Sequence, residues 1–292
     1  MNQPALVSTI TELRDILSRV RDEGRTVGFV PTMGYLHNGH GSLIRRSAQQ
    51  VDTTVVSIFV NPLQFAPGED LSSYPRDLDQ DLGVADAAGA QIVFAPTGDE
   101  MYPDGAIDTT VSVGALAELW EGASRPTHFS GVATVVAKLF NIVGPCRAYF
   151  GEKDFQQLAV ITAMVHDLSM PVTVVGCPIV REPDGLAMSS RNVYLSPKER
   201  QAAAVLNRAL VAGSTVAATG TTELVVKTME QIVDAEPMAD LEYAAVIDAR
   251  SLRPATAQTG EIRLLIAATF GSTRLIDNAA PQISEGKSNG IR

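Results

Sequence analysis

The sequence predicts an α/β protein in which a doubly wound parallel sheet is followed by a smaller C-terminal α+β domain. As far as about residue 177, apolar strand-like segments alternate with helical ones, which is the pattern of βαβ units in a parallel sheet. Segment 53–60 is almost continuously apolar, as expected of a strand covered on both faces. Beyond residue 177, two helical segments precede three strand-like ones. We therefore expect one domain at 1–177 and a second at 178–292.

The first helix begins at a capping box, Thr9-x-x-Glu12, and ends at Gly24. Its apolar face comprises Leu13, Ile16, Leu17 and Val20. Over the rest of this domain the pattern predicts strands at 26–30, 53–60, 91–95, 146–150 and 172–176. Helices are predicted between them at 39–50, 78–88, 131–143 and 155–168. Ligands of such sheets bind in the loops at the carboxyl ends of the strands.

The second domain begins with a polar loop at 178–196. Two helices are predicted after it, an alanine-rich one at 197–214 and another at 222–234. The strands are predicted at 241–248, 262–269 and 273–277. Helices followed by clustered strands indicate a separate α+β unit.

The composition excludes several classes of protein. With 45% hydrophobic and 19% charged residues, the chain is not a disordered one. A net charge of −10 and a pI near 4.9 argue against a general binder of nucleic acid or membrane surfaces. The N-terminus lacks a signal-peptide pattern, and Cys146 and Cys177 are too few for a disulfide framework. We expect a soluble, cytoplasmic globular protein.

Two of the four histidines, His37 and His40, share the turn PTMGYLHNGH (31–40) after the first long strand. Gly34 and Gly39 permit a close backbone approach, and the helix opening there offers free N–H groups to an anion. Neutral imidazoles can donate hydrogen bonds to oxygens that gain charge at a phosphorus transition state. The turn therefore predicts a phosphate-handling site. The alternatives are a plain surface turn or a metal chelate, although zinc sites need at least three protein ligands.

The loop after the next strand, 61–81, carries Asn61 and Gln64 at the strand end. These amides can bind a ligand or simply satisfy their own turn. The loop also holds an acidic group, which is either a solvated face or a metal site. Its members are Glu69, Asp70, Asp77, Asp79 and Asp81.

A third loop, GEKDFQQL (151–158), again joins a strand end to a helix. Gly151 lets a nucleotide approach, Lys153 supplies a point charge, and Asp154 can accept from ribose hydroxyls. Gln156 and Gln157 start the helix. The alternative is that these residues merely cap the helix.

Two further segments complete the candidate site. In the loop 181–196, Ser189 and Ser190 stand beside Arg191, a combination suited to a polyphosphate or to an ordinary surface loop. The stretch 125–140 adds Arg125, His128 and Lys138, the last of which can equally be an exposed helix lysine.

Six segments in chain order carry a family resemblance: PTMGYLHNGH, FVNPLQF, YPRDLDQD, RPTHFSGV, GEKDFQQL and GLAMSSRN. Together they resemble the pantothenate synthetase (pantoate–β-alanine ligase) family, from about residue 8 to 280. That family belongs to the nucleotidyltransferases with an H-x-G-H signature. The resemblance implies a Rossmann-like domain followed by a small C-terminal domain, with the phosphate-binding loop near the start of the second.

The resemblance implies a two-step ligation. The carboxylate of (R)-pantoate attacks the α-phosphorus of MgATP to give pantoyl adenylate and pyrophosphate. The amine of β-alanine then attacks the acyl carbon, releasing AMP and pantothenate. His40 is expected to stabilise charge rather than to donate a proton, since a carboxylate nucleophile has no proton to transfer.

Site residues follow from the resemblance by position. Those implied for ATP are Met33, Gly34, Tyr35, Leu36, His37, Asn38, Gly39, His40, Gly151, Glu152, Lys153, Asp154, Val180, Met188, Ser189, Ser190 and Arg191. Those implied for pantoate and β-alanine are Gln64, Gln157, Asn61, His128 and Lys138. The catalytic set is His40, His37, Lys153, Ser189, Ser190 and Arg191.

The resemblance also implies Mg²⁺ and a homodimer, with small-molecule substrates and neither nucleic acid nor membrane as partner. The family often has consecutive acidic residues after the YPR motif, whereas Gln80 here lies between Asp79 and Asp81. We assign the Mg²⁺ contact to Asp81.

Three other functions are compatible with these motifs. An H-x-G-H transferase can leave the nucleotide on its product, and a sensor on the same scaffold can bind ATP without turnover. An acyl-phosphate ligase releases ADP instead of AMP.

Overall fold

A computed structural model describes residues 3–66, 68–105, 107–256 and 259–281 of the chain. The strands are β1 (Ala5–Val7), β2 (Val27–Thr32), β3 (Thr53–Ile58), β4 (Ile92–Phe94), β5 (Cys146–Gly151), β6 (Val172–Cys177), β7 (Asp240–Asp248), β8 (Ile262–Phe270) and β9 (Thr273–Ala279). The helices are α1 (Ile10–Asp22), α2 (Asn38–Ala48), α3 (Leu78–Ala88), α4 (Gly98–Met101), α5 (Glu121–Ser124), α6 (His128–Val143), α7 (Phe155–Asp167), α8 (Pro197–Ala202), α9 (Val205–Ala217) and α10 (Thr222–Asp234).

The described residues divide into two units. The first runs to Val180 and also includes Met188–Ser190, and the second comprises Arg181–Ala187 and the residues from Arg191 onward. The boundary that the sequence predicts, between residues 177 and 178, lies in the same connecting region. The sequence assigns Met188–Ser190 to the second domain, whereas the structure groups them with the first unit. Contacts between distant segments leave no local sequence signal.

In the described part of the chain, the sheet of the first unit has six strands in the order β1-β4-β3-β2-β5-β6. Every pairing between them is parallel. From β2 the chain first adds β3 and β4 on one side and later adds β5 and β6 on the other. The strand order therefore reverses between β2 and β5, and the crevice at such a reversal is where open α/β sheets bind ligands.

Alternate side chains of the strands face opposite cores. Phe29 of β2 packs with residues of α1, α6 and α7, whereas its neighbour Val30 packs with residues of α2 and α3. Since side chains alternate along a strand, continuous apolar strands are needed to fill both cores. This confirms the predicted doubly wound α/β class.

The second unit packs helices on one face of an antiparallel sheet, in the order β7-β8-β9 within the described residues. Leu264, Ile266 and Phe270 of β8 are completely buried in one core with Leu206 of α9 and Met229 of α10. The antiparallel sheet with covering helices confirms the predicted α+β class of this part.

The differences from prediction are local. The strand β1 was not predicted because its three residues, between Pro4 and Ser8, are too few to show a period. The predicted helix 197–214 is broken into α8 and α9. Alanine favours a continuous helix, so packing must decide here: Ala203 and Ala204, at the break, are both buried.

No helix within the described residues is long and apolar enough to cross a membrane. Both cysteines are free thiols.

Substitution of Gly28 tests how closely α2 lies on β2. An added Cβ would be 2.1 Å from Ser47 Oγ and 2.7 Å from Val51 Cγ2, and Ser47 is held by its hydrogen bond to Thr54, 2.8 Å long. We expect Gly28→Ala to lower the free energy of unfolding by about 1–3 kcal/mol, measured by urea denaturation. The matched control is Gly83→Ala, where nothing lies within 4 Å and a helical alanine is expected to stabilise by up to about 1 kcal/mol. Equal effects of the two variants would contradict this close packing.

Candidate active site

The strand order brings two loops together at the carboxyl edge of the sheet. β2 and β5 are paired neighbours, so the turn after Thr32 and the loop after Gly151 emerge side by side. The first leads into α2 and the second into α7. These are the two loops in which the sequence placed the paired histidines and Lys153.

The two histidines cap α2. His37 is the N-cap residue, and its Nδ1 accepts a hydrogen bond of 3.1 Å from the N–H of Gly39. His40 Nδ1 accepts in turn from the N–H of His37, at 3.3 Å. An imidazole nitrogen that accepts carries no proton, so each neutral ring must carry its proton on Nε2. The capping box therefore leaves two N–H donors on rings whose centroids are 4.1 Å apart.

Burial keeps both imidazoles neutral. Desolvation and then the positive charge of Lys153 lower the pKa of His37 to about 4. Desolvation, followed by the neighbouring His37, lowers the pKa of His40 to about 3. At neutral pH both rings are therefore uncharged and can donate hydrogen bonds.

The turn before the histidines is unusual in its backbone. Gly34 and Tyr35 both have positive φ, +86° and +50°, and an added Cβ at Gly34 would lie 2.9 Å from Asp81 Oδ2. The N–H groups of Tyr35 and Leu36 donate to the Asp81 carboxylate, at 3.0 and 2.5 Å. Asp81 lies in the first turn of α3 and is 1% exposed.

Asn61 and Gln64 follow β3 and are buried together. Asn61 donates to Gln64 Oε1 and to the carbonyl of Gly131, each at 3.2 Å. Its own oxygen accepts from the Tyr102 hydroxyl at 2.8 Å and from the N–H of Leu63. Its amide is therefore engaged within the protein, in a turn satisfied by its own contacts. Gln64 Nε2 is 2.8 Å from the sulfur of Met33, which brings it to the H-x-G-H turn.

His128 supports this loop from the start of α6. Its Nδ1 lies 3.0 Å from the carbonyl oxygen of Gln64 and must donate to it, so Nε2 accepts from Arg125 at 3.2 Å. Arg125 also forms an ion pair with Glu69. Both ring nitrogens thus have protein partners. The structure places His128 and Asn61 in contact with Gln64, and the direct substrate contacts that the resemblance implied for them stay predictions.

Lys138 of α6 is connected to Asn61 through Tyr102. Its ammonium is 5.2 Å from the centre of the Tyr102 ring, and Tyr102 donates to Asn61. The structure thus places Lys138 in a cation–π contact with Tyr102, and its contact with substrate stays a prediction.

The loop after β5 supplies charge and a buried amide. Lys153 and Asp154 form an ion pair of 3.2 Å, and Gln157 lies half-buried in the first turn of α7. Its neighbour Gln156 is buried and holds the segment 116–121. Its side chain donates to the carbonyls of Leu116 and Leu119 and accepts from the N–H of Glu121. The pair of glutamines was noted in the sequence, but nothing there distinguished the buried one.

The segment 188–190 reaches the H-x-G-H turn. Ser190 Oγ is 3.4 Å from the carbonyl of Tyr35, and Met188 donates its N–H to the carbonyl of Val180. Met188 also lies close to Gly39, 3.6 Å from the position of an added Cβ. Four predicted ATP-binding residues in this region, Val180, Met188, Ser189 and Ser190, therefore belong to the unit that carries the histidines, while Arg191 is counted with the second unit.

The described residues hold no group of three metal-binding side chains. Asp81, our assigned Mg²⁺ ligand, uses both carboxylate oxygens for backbone N–H groups. The acidic side chains of this region also include Glu69, which is paired with Arg125. The contacts shown for these residues are therefore all to protein groups, and the Mg²⁺ contact of Asp81 stays a prediction.

Known proteins resemble this chain along nearly its whole length. The chain matches the family model described as pantoate-beta-alanine ligase over residues 5–280. It belongs to the pantoate–β-alanine ligase family. It is 53% identical to a pantothenate synthetase of Heliobacterium modesticaldum, over 95% of this chain and 99% of that protein. It is also 53% identical to a pantothenate synthetase of Pseudomonas fluorescens, over 93% and 96% of the two chains.

Solved structures of pantoate–β-alanine ligases share the fold. The crystal structure of pantothenate synthetase from Thermus thermophilus superposes with a TM-score of 0.90 at 51% identity, covering 94% of this chain and 99% of that one. The pantoate-beta-alanine ligase of Francisella tularensis, described as complexed with beta-gamma ATP and beta-alanine, superposes with a TM-score of 0.79 at 32% identity, over 96% and 99% of the chains. The family resemblance drawn from six short segments is confirmed.

The buried histidines predict a loss of stability in acid. Desolvation, then the charge of Arg125, lowers the pKa of His128 to about 4, against about 6.5 in the unfolded chain. Between pH 6.5 and pH 4, His128 is protonated in the unfolded state but not in the folded state. The free energy of unfolding therefore falls as the pH falls through this range. We expect His128→Gln to reduce this slope by up to about 1.4 kcal/mol per pH unit, measured by urea unfolding from pH 7.5 to 4.5. His166→Gln, whose parent side chain is 87% exposed, is the control; an unchanged slope in the His128 variant would contradict the assignment.

Proposed function

We propose that this chain catalyses the ATP-dependent condensation of (R)-pantoate with β-alanine to form pantothenate, releasing AMP and pyrophosphate through a pantoyl-adenylate intermediate. Family membership over residues 5–280 supports the reaction. The single structural observation that carries the chemistry is the capping box, which leaves the Nε2–H groups of two neutral histidines as donors beside Lys153.

In the first step, the pantoate carboxylate attacks the α-phosphorus and the bond to the pyrophosphate oxygen breaks. Negative charge grows on the phosphate oxygens, and His37 and His40 donate to them from Nε2. Because Nδ1 of each ring is already occupied by a backbone N–H, the donors need no reorganisation as the charge develops. Lys153 adds a full positive charge, and the Ser189 hydroxyl adds a further donor. The Ser190 hydroxyl can add another only by exchanging its bond to the Tyr35 carbonyl for one to phosphate.

The nucleotide is proposed to lie along the loops of β2 and β5. Residues 33–40 and 151–154 would hold the phosphates and ribose, with Val180 and Met188 beside the adenine. Magnesium enters on the ATP phosphates as part of the nucleotide substrate, since Mg²⁺ often binds chiefly through phosphates and retained water.

Pantoate is proposed to bind through Gln64 and Gln157. Gln64 is oriented by Asn61 and lies beside Met33 of the H-x-G-H turn, and Gln157 opens α7 directly after the Lys153 loop. His128 and Arg125 hold the Gln64 backbone from behind. Amides suit a hydroxy acid because each offers both a donor and an acceptor.

In the second step, the unprotonated amine of β-alanine attacks the acyl carbon of the adenylate. The C–N bond forms as the bond between that carbon and the phosphate oxygen breaks, AMP leaves, and the nitrogen releases one proton to solvent. Adenylation makes this attack feasible because AMP is a far better leaving group than the oxide of a free carboxylate. We further propose that the enzyme works as a homodimer in the cytoplasm, where ATP is available, as the family membership suggests.

The test of the function is exchange of labelled pyrophosphate into ATP, with Mg²⁺ and without β-alanine. We expect exchange only when pantoate is present, because reversal of the first step requires the adenylate. Addition of β-alanine should then yield AMP and pantothenate in equal amounts. A folded, ATP-binding protein that shows no pantoate-dependent exchange, or releases ADP, would overturn the adenylating mechanism.

Substitution of His40 tests the charge-stabilising role. We expect His40→Ala to slow single-turnover adenylation by on the order of 10²–10³ through lost transition-state stabilisation. His166→Ala is the control, because that side chain is exposed on the C-terminal part of α7. A His40→Ala adenylation rate within threefold of the parent rate would contradict the assignment.

A further inference from the structure

The carboxylate of Asp81 is buried against the turn that precedes the histidines. Its Oδ2 accepts from the N–H of Tyr35 and its Oδ1 from the N–H of Leu36. Asp81 is 1% exposed, so these two bonds stand in place of water. They offset part of the desolvation that raises the pKa of the carboxyl group. A buried carboxylate is retained only where such partners stabilise its charge.

The backbone of the turn is shaped to receive an anion. Gly34 and Tyr35 are consecutive residues with positive φ, and the following N–H groups point to the same side. Successive N–H groups in such turns form a concavity that binds anions. In this chain the anion is supplied by α3, and the Gln80 side chain adds a bond of 3.3 Å to the carbonyl of Leu36. The turn is thus fixed from two adjacent residues of one helix.

The next residue after this turn is His37. Its backbone N–H must reach His40 and its ring must reach the N–H of Gly39 for the capping box to close. A shift of the 34–36 backbone therefore moves the N-cap and both imidazoles with it. The carboxylate lies behind the turn and does not touch the rings.

We propose that Asp81 is a positioning residue: its carboxylate is the anion around which the 34–36 turn folds, it holds His37 and His40 in their Nε2–H arrangement, and it is not a ligand of Mg²⁺. A metal ligand would need an oxygen directed at the ion at about 2.0–2.1 Å, whereas both oxygens here face backbone N–H groups. The consequence for catalysis rests on the proposed function, but the effect on the histidines does not.

The first test is structural and needs no substrate. Asp81→Asn keeps the size of the side chain but removes the charge and turns one acceptor into a donor. In long-range ¹H–¹⁵N spectra we expect His37 and His40 to show Nε2–H tautomers in the parent and to change their ¹⁵N shifts in the variant. Asp79→Asn, an exposed carboxylate in the same turn of α3, should leave these signals in place. Unchanged histidine signals in a folded Asp81→Asn protein would overturn the proposal.

The second test separates positioning from metal binding. We expect Asp81→Asn to lower pantoate-dependent pyrophosphate exchange by roughly 10- to 100-fold, as small misplacements of catalytic groups do, while the Mg²⁺ concentration for half-maximal rate stays within twofold of the parent. Recovery of the rate at high Mg²⁺ would assign Asp81 to the metal and overturn the proposal. Absence of exchange in the parent would instead overturn the proposed function and leave the histidine result standing.

If Asp81→Asn does not fold, the parent protein still decides the question. The amide proton of Leu36 should resonate far downfield, as expected of a short bond to a carboxylate, and titration with MgCl₂ should leave the amides of Tyr35, Leu36 and Asp81 unmoved. A saturable Mg²⁺-dependent shift at these three amides would contradict the proposal.

Discussion

The parallel pairing of β2 with β3 on one side and β5 on the other is the constraint on which the candidate site depends. Two parallel neighbours force the loops after β2, β3 and β5 to emerge at one edge of the sheet. Those loops hold the histidine pair, Gln64 and Lys153. A one-residue register shift at β2 would exchange its side chains between the two cores, which Phe29 and Val30 fill from opposite faces. The packing of the cores and the geometry of the site are therefore fixed by the same strand.

The capping of α2 shows one set of bonds serving both stability and chemistry. A helix N-terminus needs partners for its first N–H groups, and serine, threonine or aspartate usually supply them. Here two imidazoles do so, through Nδ1 in each case. The same bond that satisfies the backbone N–H decides which nitrogen carries the proton. A serine in place of His37 could cap the helix, but it would offer no fixed N–H donor on its far side.

The sequence predicted the fold class because it depends on strong, long-range patterns: apolar strands that must be covered twice, and helices of regular length between them. It also predicted that His37, His40 and Lys153 share one edge, since that follows from parallel topology. It could not predict the layer behind them. Asn61 and His128 are residue types that often bind ligands. In this structure their polar atoms form hydrogen bonds with Gln64, Gly131 and Arg125. Which polar group faces substrate and which supports it depends on ångström-scale packing between segments far apart in the chain, and a single sequence carries no record of that.

Neutral histidines also answer an electrostatic problem. The chain has a net charge of −10 and its proposed substrates are anions, so local positive potential is required at the site. Imidazolium groups would supply positive potential, but a histidine with a pKa near 6.5 loses its charge as the pH rises from 5 to 8. With pKa values near 4 and 3, the rings keep one protonation state from mildly acidic pH upward. In the proposed mechanism Lys153 supplies the positive charge, and the imidazoles supply directed N–H groups whose hydrogen bonds strengthen as the phosphate oxygens gain charge. Such groups favour the transition state over the bound substrate more than a fixed cation does, because a cation attracts the ground-state phosphates as well.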